Sequence, residues 1–263
     1  MAPDTWDDGA AYEPYVGRWS RLVAARFLHW LALPPRSAWL DFGCGTGALS
    51  RTILADADPR LVIGCDRSKG YTDFARQTTR DQRAQFVVAE LSDLPHTEGG
   101  FDAVVTGLVL NFLPDPLDAL AALIARARLG GTVAAYVWDY ADGMQMMRAF
   151  WDAAIALEPE ARDLDEGTRF PLCRPEALHQ LFKEAGLRGL EVQPIEIPTI
   201  FRNFDDFWTP FLGGQGPAPG YARSLAPERR ARLRNAIQDR LPVAGDGTIA
   251  LTARAWAAKG IAA

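Results

Sequence analysis

A glycine-rich segment at residues 43–47 carries the clearest chemical signal in the chain. It reads Gly-Cys-Gly-Thr-Gly, follows a short apolar run, and has Asp41 two positions before its first glycine. Glycines let the backbone approach a ligand closely and adopt positive φ angles. Dinucleotide-binding loops hold a diphosphate in this way, but a carboxylate beside the loop would repel a diphosphate and attract an ammonium or sulfonium group. Asp41 and the G-x-G-x-G spacing, which differs from G-x-G-x-x-G, therefore favour a cationic, methionine-like ligand.

A second acidic residue, Asp66, closes the next apolar run. It lies about 20 residues beyond the glycine loop, where an acid can accept hydrogen bonds from both hydroxyls of a ribose. A ribose is common to dinucleotides and other nucleosides, so Asp66 predicts a nucleoside without distinguishing these classes. Taken singly, Asp41 could pair with a basic neighbour and Asp66 could cap a turn. Together, at two strand ends around one glycine loop, they favour a binding site.

Short apolar runs alternate with helical patterns between residues 37 and 138, and this alternation predicts βαβ units that build a parallel sheet. Glycines and prolines stand where the connections are required. The predicted strands of this region are Ala38–Phe42, Leu61–Cys65, Gln85–Ala89, Phe101–Leu108 and Thr132–Trp138.

The flanking segments complete the predicted sheet and surround it with helices. Periodic apolar residues predict an entry helix over residues 12–33, helices over 144–157 and 175–185, and strands over 190–197 and 248–257. We predict a single domain over residues 1–263. Its parts are an N-terminal helical entry segment (1–36), a cofactor-binding core (37–138), a helical region (139–189) and an aromatic cap inserted between the last two strands (201–240).

Composition and charge restrict the possible partners. The net charge of −5 opposes binding to a phosphate backbone, so we expect no nucleic-acid partner. The three cysteines and three histidines are scattered without metal-ligand spacing, so we expect no metal. No apolar run is long enough to span a bilayer, and no basic, apolar leader is present at the start. A cytoplasmic protein without membrane contact is the expectation, and no feature predicts an oligomeric state.

Several segments, in this order, resemble class I S-adenosylmethionine-dependent methyltransferases of a bacterial small-molecule subgroup: LDFGCGTG, GCDRS, AELSDLP and FDAVVTGLVLNFLPDP. The resemblance covers roughly residues 37–138. It implies S-adenosylmethionine as cofactor and S-adenosylhomocysteine as product. It also implies an α/β fold, a Rossmann-like, mostly parallel seven-stranded sheet with helices on both faces, to which the helical and aromatic cap is added.

The resemblance also implies roles for individual residues. Similar proteins hold the methionine part at the glycine loop, the ribose at the acid after the second strand, and the adenine amino group at an acid after the third strand. Related sequences often read G-D-A-x-x-L-P where this chain has the segment Ala89–Pro95, and because of this departure Asp93 could substitute for Glu90, which leaves the two acids as alternatives. The segment Tyr15–Ser20 resembles an entry helix that would bring Arg18 near the cofactor carboxylate. The implied cofactor set is Arg18, Asp41, Gly43, Cys44, Gly45, Asp66, Arg67, Glu90, Leu91 and Asn111.

Residues that position the methyl acceptor are expected near the same sheet edge and in the cap. The fourth strand neighbours the glycine-loop strand in this fold, so Asn111 should lie near the methyl group, although it could also be a turn residue before Pro114. The other candidates are aromatic and could equally be plain core: Tyr15, Trp138, Tyr140 and Trp208. No His-Asp pair or other general base stands out, so no catalytic residue is assigned.

Methyl transfer from a sulfonium is an in-line displacement that depends mainly on proximity and orientation. The predicted function is therefore transfer of a methyl group to a small organic acceptor. A non-catalytic nucleoside-binding module is the main alternative, because methyl transfer leaves little catalytic signature. An NAD-dependent oxidoreductase is disfavoured by Asp41 and the glycine spacing, and a protein or RNA methyltransferase by the acidic balance and the cap.

Overall fold

The computed structural model describes residues 13–213 and 216–263. Seven strands form one sheet in the order β3-β2-β1-β4-β5-β7-β6. They are β1 Ala38–Phe42, β2 Leu61–Asp66, β3 Ala84–Val88, β4 Phe101–Gly107, β5 Ala127–Trp138, β6 Arg188–Phe201 and β7 Ile249–Ile261. The pairs β1/β2, β2/β3, β1/β4 and β4/β5 are parallel. The predicted fold, a mostly parallel seven-stranded sheet with helices, is confirmed.

Helices connect these strands. They are α1 Arg18–Leu31, preceded by one π-helical turn at Glu13–Gly17, then α2 Ala48–Asp56, α3 Lys69–Thr78, α4 Pro116–Ile124, α5 Gln145–Leu157, α6 Glu166–Arg169, α7 Pro175–Glu184, α8 Phe204–Trp208, α9 Pro217–Ser224 and α10 Pro227–Gln238. Short 3-10 turns lie at Leu91–Asp93, Leu110–Phe112, Pro159–Leu164 and Thr209–Leu212. None of the helices in these described stretches is long and apolar enough to cross a membrane.

Local sequence explains where the helices near the sheet begin. The side chain of Ser68 accepts a hydrogen bond from the Tyr71 N–H and caps α3. The Asp115 side chain accepts hydrogen bonds from two N–H groups of the first turn of α4, and Pro116 takes the position where no N–H is needed. The helix α2 instead begins directly after Gly47, whose φ of 85° turns the chain out of the glycine loop.

The fifth strand differs from its prediction. Thr132 was expected to start it, because Gly130 and Gly131 were interpreted as a break, but β5 begins at Ala127. Its pairing with β4 shifts register between Phe101 and Ala103, and Gly130 has a φ of 73°. A glycine at positive φ inside a strand is typical of a bulge, which bends a strand without ending it. The expected boundary at residue 132 was therefore wrong. The other four strands of the region begin and end within one residue of their predicted bounds, and β1 has the predicted bounds.

The chain divides into two compact units. The α/β unit comprises Ser20–Val137, Arg174–Ile195 and Trp256–Ala263. The second, here called the aromatic unit, comprises the described residues up to Trp19 together with Trp138–Cys173 and Glu196–Ala255. This division groups the chain differently from the predicted entry segment, core, helical region and cap.

The aromatic unit is built around Phe211, which is fully buried. Its ring stacks on Phe150 with centroids 4.6 Å apart and meets the edge of Tyr15 at 5.5 Å. Phe207 and Trp208 lie at 5.5 and 6.1 Å from it. Aromatic pairs at these separations add to the stabilisation from burial. Residues that were predicted to form a cap thus form the hydrophobic core of this unit.

Candidate cofactor site

The glycine loop is held to the end of β2 by its own backbone. The N–H groups of Gly43 and Cys44 both donate to the carbonyl of Cys65, at 2.8 and 3.0 Å. Gly43, Gly45 and Gly47 have φ angles of 69°, 52° and 85°. These values lie in the left-handed region, where a side chain is disfavoured. The loop therefore needs its glycines for backbone conformation.

Gly43 and Gly45 differ in the space that is available for a side chain. A Cβ on Gly43 would lie 2.4 Å from Cγ2 of Val109, so the valine side chain fills the place that any side chain at Gly43 would take. A Cβ on Gly45 would meet nothing within 4 Å. Gly43 is thus required for packing within the protein, whereas Gly45 faces open space. Close approach of a ligand to the backbone is possible at Gly45.

Asp41 is a buried acid with only one of its oxygens satisfied. Its side chain, 1% exposed, accepts a hydrogen bond through Oδ2 from the Ser50 hydroxyl at 2.6 Å. Within the described part of the chain, Oδ1 is buried and has no hydrogen-bond partner. Burial raises the pKa of Asp41 from 3.8 to about 7, against the lowering effect of Ser50, and the charge of Asp66 adds to the rise. A cationic ligand would supply the partner that this carboxylate lacks.

Asp66 links the end of β2 to the glycine loop. Its Oδ2 accepts the N–H of Gly45 at 3.0 Å, and its Oδ1 accepts the N–H of Ser68 at 2.8 Å. Burial raises the pKa of Asp66, while these two backbone donors and the charge of Arg67 oppose the rise. Each carboxylate oxygen can accept more than one hydrogen bond, so these contacts leave capacity for ribose hydroxyls. The Arg67 side chain itself is exposed.

The residues after β3 form a small turn. Asp93 accepts the backbone N–H of Glu90 through Oδ1 at 2.7 Å, which closes the 3-10 turn Leu91–Asp93. Glu90 is exposed and Leu91 is partly buried. The turn is a capping box in which the Glu90 side chain in return accepts the N–H of Asp93, so the choice between these two acids stays a prediction.

Asn111 follows β4 on a tightly held turn. Leu108 has a φ of 64°, rare for a residue with a side chain, and its N–H donates to the Tyr136 carbonyl at 2.8 Å. Both polar atoms of the Asn111 amide, Nδ2 and Oδ1, are buried without a hydrogen-bond partner among the described residues. Buried amides are rarely left without hydrogen-bond partners, and the predicted role of Asn111 in binding would supply them. That role stays a prediction.

The remaining candidates belong to the aromatic unit. Arg18 pairs with Asp206 at 3.1 Å, and its guanidinium lies 4.4 Å from the Trp19 ring and 4.8 Å from the Phe201 ring. The Tyr15 hydroxyl donates to the sulfur of Met147 at 3.2 Å. These contacts give Arg18 and Tyr15 defined structural roles within this unit.

The other three aromatic candidates are also buried in the aromatic unit. Trp208 packs against Phe211, and the Tyr140 ring lies 5.7 Å from that of Phe170. The indole N–H of Trp138 is buried and lacks a partner in the described stretches. A role in acceptor binding for Tyr15, Trp138, Tyr140 and Trp208 stays a prediction, as does the role of Arg18 toward the cofactor.

The structure brings five of the predicted residues into one connected arrangement around the glycine loop: Asp41, Gly43, Cys44, Gly45 and Asp66. Sequence reasoning missed two residues that define this arrangement. Ser50, on the first turn of α2, holds Asp41, and Val109 fills the space beside Gly43. A small polar residue on the first turn after a glycine loop is a weak signal for the former. No sequence pattern near Val109 indicates that its side chain packs beside Gly43.

The chain is similar to several proteins of known class. Residues 40–135 match a family described as a methyltransferase domain. The chain is 31% identical over 172 residues to a demethylmenaquinone methyltransferase of Roseiflexus sp., a stretch that covers 59% of this chain and 70% of that protein. It is 36% identical over 110 residues to a tRNA (carboxymethyluridine(34)-5-O)-methyltransferase of Xenopus tropicalis, covering 41% of this chain and 16% of that protein.

A solved structure shares the fold. It is phosphoethanolamine N-methyltransferase 2 of Haemonchus contortus, in complex with phosphomonomethylethanolamine and S-adenosylhomocysteine. The TM-score is 0.57 at 15% identity, over 95% of this chain and 56% of that one. The match to the methyltransferase domain and the 31% identity to the demethylmenaquinone methyltransferase show that the chain belongs to the class I S-adenosylmethionine-dependent methyltransferases, and S-adenosylmethionine is its cofactor. The predicted family, enzyme class and cofactor are confirmed, whereas the similarity to a tRNA methyltransferase gives no support to the expected exclusion of nucleic acid.

Proposed function

We propose that the chain transfers the methyl group of S-adenosylmethionine to a small organic acceptor by in-line displacement. The observation that carries the proposal is a pair of buried polar groups in the α/β unit, Oδ1 of Asp41 and the Asn111 amide, which have no hydrogen-bond partner among the described residues. One suits a positively charged cofactor group, and the other suits a neutral polar group of the acceptor. The names of the demethylmenaquinone and phosphoethanolamine methyltransferases support a small acceptor.

The proposed cofactor contacts follow from the site geometry. Asp41 and the backbone of Gly43, Cys44 and Gly45 bind the methionine part, with the open space at Gly45 allowing close approach. Asp66, beside Arg67, binds the ribose. We assign the adenine amino group to Glu90, next to Leu91, because the resemblance to related sequences places their acid at this position.

The chemistry supplied by the bound cofactor is an electrophilic methyl group on a sulfonium. The protein then has to orient the acceptor and to exclude water, which are sufficient for a large rate enhancement when the reacting atoms are aligned. Acceptors that must lose a proton would also need a base within hydrogen-bond reach. Proximity and orientation are therefore the proposed main source of catalysis.

The test follows a radiolabelled methyl group. The purified protein is incubated with S-adenosylmethionine labelled in the methyl group and with three fractions of a bacterial lysate: small molecules, RNA and protein. Label in a small-molecule product that chromatography separates from S-adenosylmethionine is the expected result. Transfer to RNA or protein instead would refute the proposed acceptor class, and cofactor binding without transfer to any fraction would favour the nucleoside-binding alternative.

Gly45→Val provides the matched control for this experiment. The branched side chain would occupy the open space at the loop and is also disfavoured at the φ of 52° found there, so the variant should neither bind cofactor nor transfer label. A far-UV circular dichroism spectrum like that of the unmodified protein establishes that the variant is folded. Label transfer by this variant would show that the signal comes from a contaminant.

A further inference from the structure

The side-chain amide of Asn111 is unsatisfied at both of its ends. Nδ2 and Oδ1 are each buried and unpaired in the part of the chain that the structure describes, although the residue as a whole is partly exposed. An amide has two donor hydrogens and an acceptor oxygen, and leaving all of them unpaired in the interior lowers stability. A leucine of similar size would avoid this loss. The asparagine therefore needs an explanation other than packing.

The position of Asn111 is held by its neighbours. The Leu108 N–H donates to the carbonyl of Tyr136 at 2.8 Å, and Leu108 adopts a positive φ to do so. Val109, the next residue, fills the space beside Gly43 of the cofactor loop. The turn that carries Asn111 is thus packed against the loop that holds the cofactor. An amide in this place lies on a preorganised part of the site.

We propose that Asn111 selects the methyl acceptor by pairing with both ends of its amide at once. The molecule that receives the methyl group then presents a hydrogen-bond donor and a hydrogen-bond acceptor side by side in one plane. A carboxamide and a hydroxyl group next to a carbonyl both have this arrangement. A ligand that offers only one of them leaves the other end of Asn111 unpaired, which is the condition under which binding sites discriminate strongly. This inference rests on the proposed function and specifies its substrate class.

The Asp41 carboxylate and the Asn111 amide suit ligand groups of different charge. The Asp41 carboxylate only accepts hydrogen bonds and carries charge when ionised, so it suits a cation. The Asn111 amide is neutral and both donates and accepts, so a lone cation or a lone anion satisfies only half of it. The acceptor is accordingly neutral at the point where it meets Asn111.

The first experiment measures the stability of the protein without ligand. Asn111→Leu should raise Tm by about 2–4 °C, because removing an unpaired buried amide recovers on the order of 1 kcal/mol in a chain of this length. Thr106→Val is the matched control, since the Thr106 hydroxyl on β4 is also buried and unpaired among the described residues. It should raise Tm without affecting ligand selectivity. A lower Tm for Asn111→Leu would show that the amide is structural and would overturn the proposal.

The second experiment measures selectivity with two fragments of the same shape. Benzamide offers a donor beside an acceptor, whereas acetophenone has a methyl group in place of the donor. In the presence of S-adenosylhomocysteine, ligand-observed NMR should show that the unmodified protein and Thr106→Val prefer benzamide by roughly 3- to 10-fold, the effect of one hydrogen bond. Asn111→Leu should lose this preference.

The outcomes separate this inference from the proposed function. Equal binding of both fragments, binding of neither, or a preference retained in Asn111→Leu would each overturn the proposed substrate class. Calorimetric titration with S-adenosylhomocysteine should give the same affinity within about twofold for the unmodified protein and Thr106→Val. The two fragments are compared at saturating S-adenosylhomocysteine for each protein, so that a change in cofactor affinity in Asn111→Leu is not counted as a change in selectivity. Failure of the unmodified protein to bind S-adenosylhomocysteine would instead count against the cofactor site itself.

Discussion

Replacing Asp41 with asparagine tests the central electrostatic feature of the site. The substitution keeps the shape of the side chain and an oxygen that can accept the Ser50 hydroxyl, but it removes the carboxylate that is buried with one oxygen unpaired. Two opposite effects are expected. The ligand-free protein should become more stable at pH 8, whereas its affinity for S-adenosylmethionine should fall.

The magnitude of the stability effect follows from the pKa of Asp41. Burial raises this pKa from 3.8 to about 7. Because the folded state holds the proton more tightly, the contribution of Asp41 to stability is fully present below the unfolded value and is lost as pH rises through about 7. A rise of this size means that the buried Asp41 carboxylate lowers the free energy of unfolding at pH 8 by about 4 kcal/mol, as an order of magnitude. Asp41→Asn should recover part of this amount at pH 8 and progressively less toward pH 4.

The binding effect has the opposite sign. A hydrogen bond to a charged group contributes roughly 1.5–3 kcal/mol, so Asp41→Asn should weaken binding of S-adenosylmethionine at pH 8 by about 10- to 100-fold. The unmodified protein should bind more tightly at pH 8 than at pH 6 as Asp41 ionises. The amino group of the cofactor also titrates, and Asp41→Asn provides the baseline for that contribution.

Urea denaturation and calorimetric titration at several pH values measure both effects. Ser50→Ala serves as the control, because loss of its hydroxyl removes the hydrogen bond that lowers the pKa of Asp41 and should move the pH dependence upward without abolishing binding. The reasoning fails if Asp41→Asn is less stable than the unmodified protein at pH 8. It also fails if the variant and the unmodified protein show the same affinity and the same pH dependence.

Three further substitutions test separate parts of the molecule. Asp66→Ala should weaken S-adenosylhomocysteine binding by about 10- to 100-fold in calorimetry, and an unchanged affinity would remove Asp66 from the site. Gly43→Ala should lower the free energy of unfolding by about 1–3 kcal/mol through overlap with Val109, and Val109→Ala in the same chain should restore part of it. Phe211→Ala should cost about 3–5 kcal/mol in urea denaturation, and a loss below about 1 kcal/mol would contradict its central place in the aromatic unit.

Local patterns in the sequence were sufficient to predict the α/β framework. The strand β1 was predicted to its exact ends because a fully buried apolar run stops at a glycine that must turn the chain. The fifth strand was shortened in the prediction because a glycine pair has the same appearance in sequence whether it ends a strand or forms a bulge. Only the pairing with β4 distinguishes the two.

Features that depend on distant partners could not be predicted. The motif located Asp41, but the hydroxyl that binds it and the oxygen that stays unpaired depend on how α2 packs. The resemblance of the segment Tyr15–Ser20 to an entry helix predicted that Arg18 lies near the cofactor carboxylate. Its ion-pair partner Asp206 lies 188 residues further along the chain, so no local pattern could indicate this pair. The aromatic residues of 201–211 have the composition expected either of a pocket or of a core, and their composition does not show that Phe207 and Phe211 are fully buried within that unit.

The contact between Gly43 and Val109 has a consequence for the order of folding. The glycine loop is next to β1 in sequence, but it bonds to the Cys65 carbonyl at the end of β2 and packs beside a side chain that follows β4. Parallel strands pair only after long segments of chain have been ordered, which makes such contacts slow to form. Competence to bind S-adenosylhomocysteine should therefore appear late during refolding, after most of the helical signal has returned.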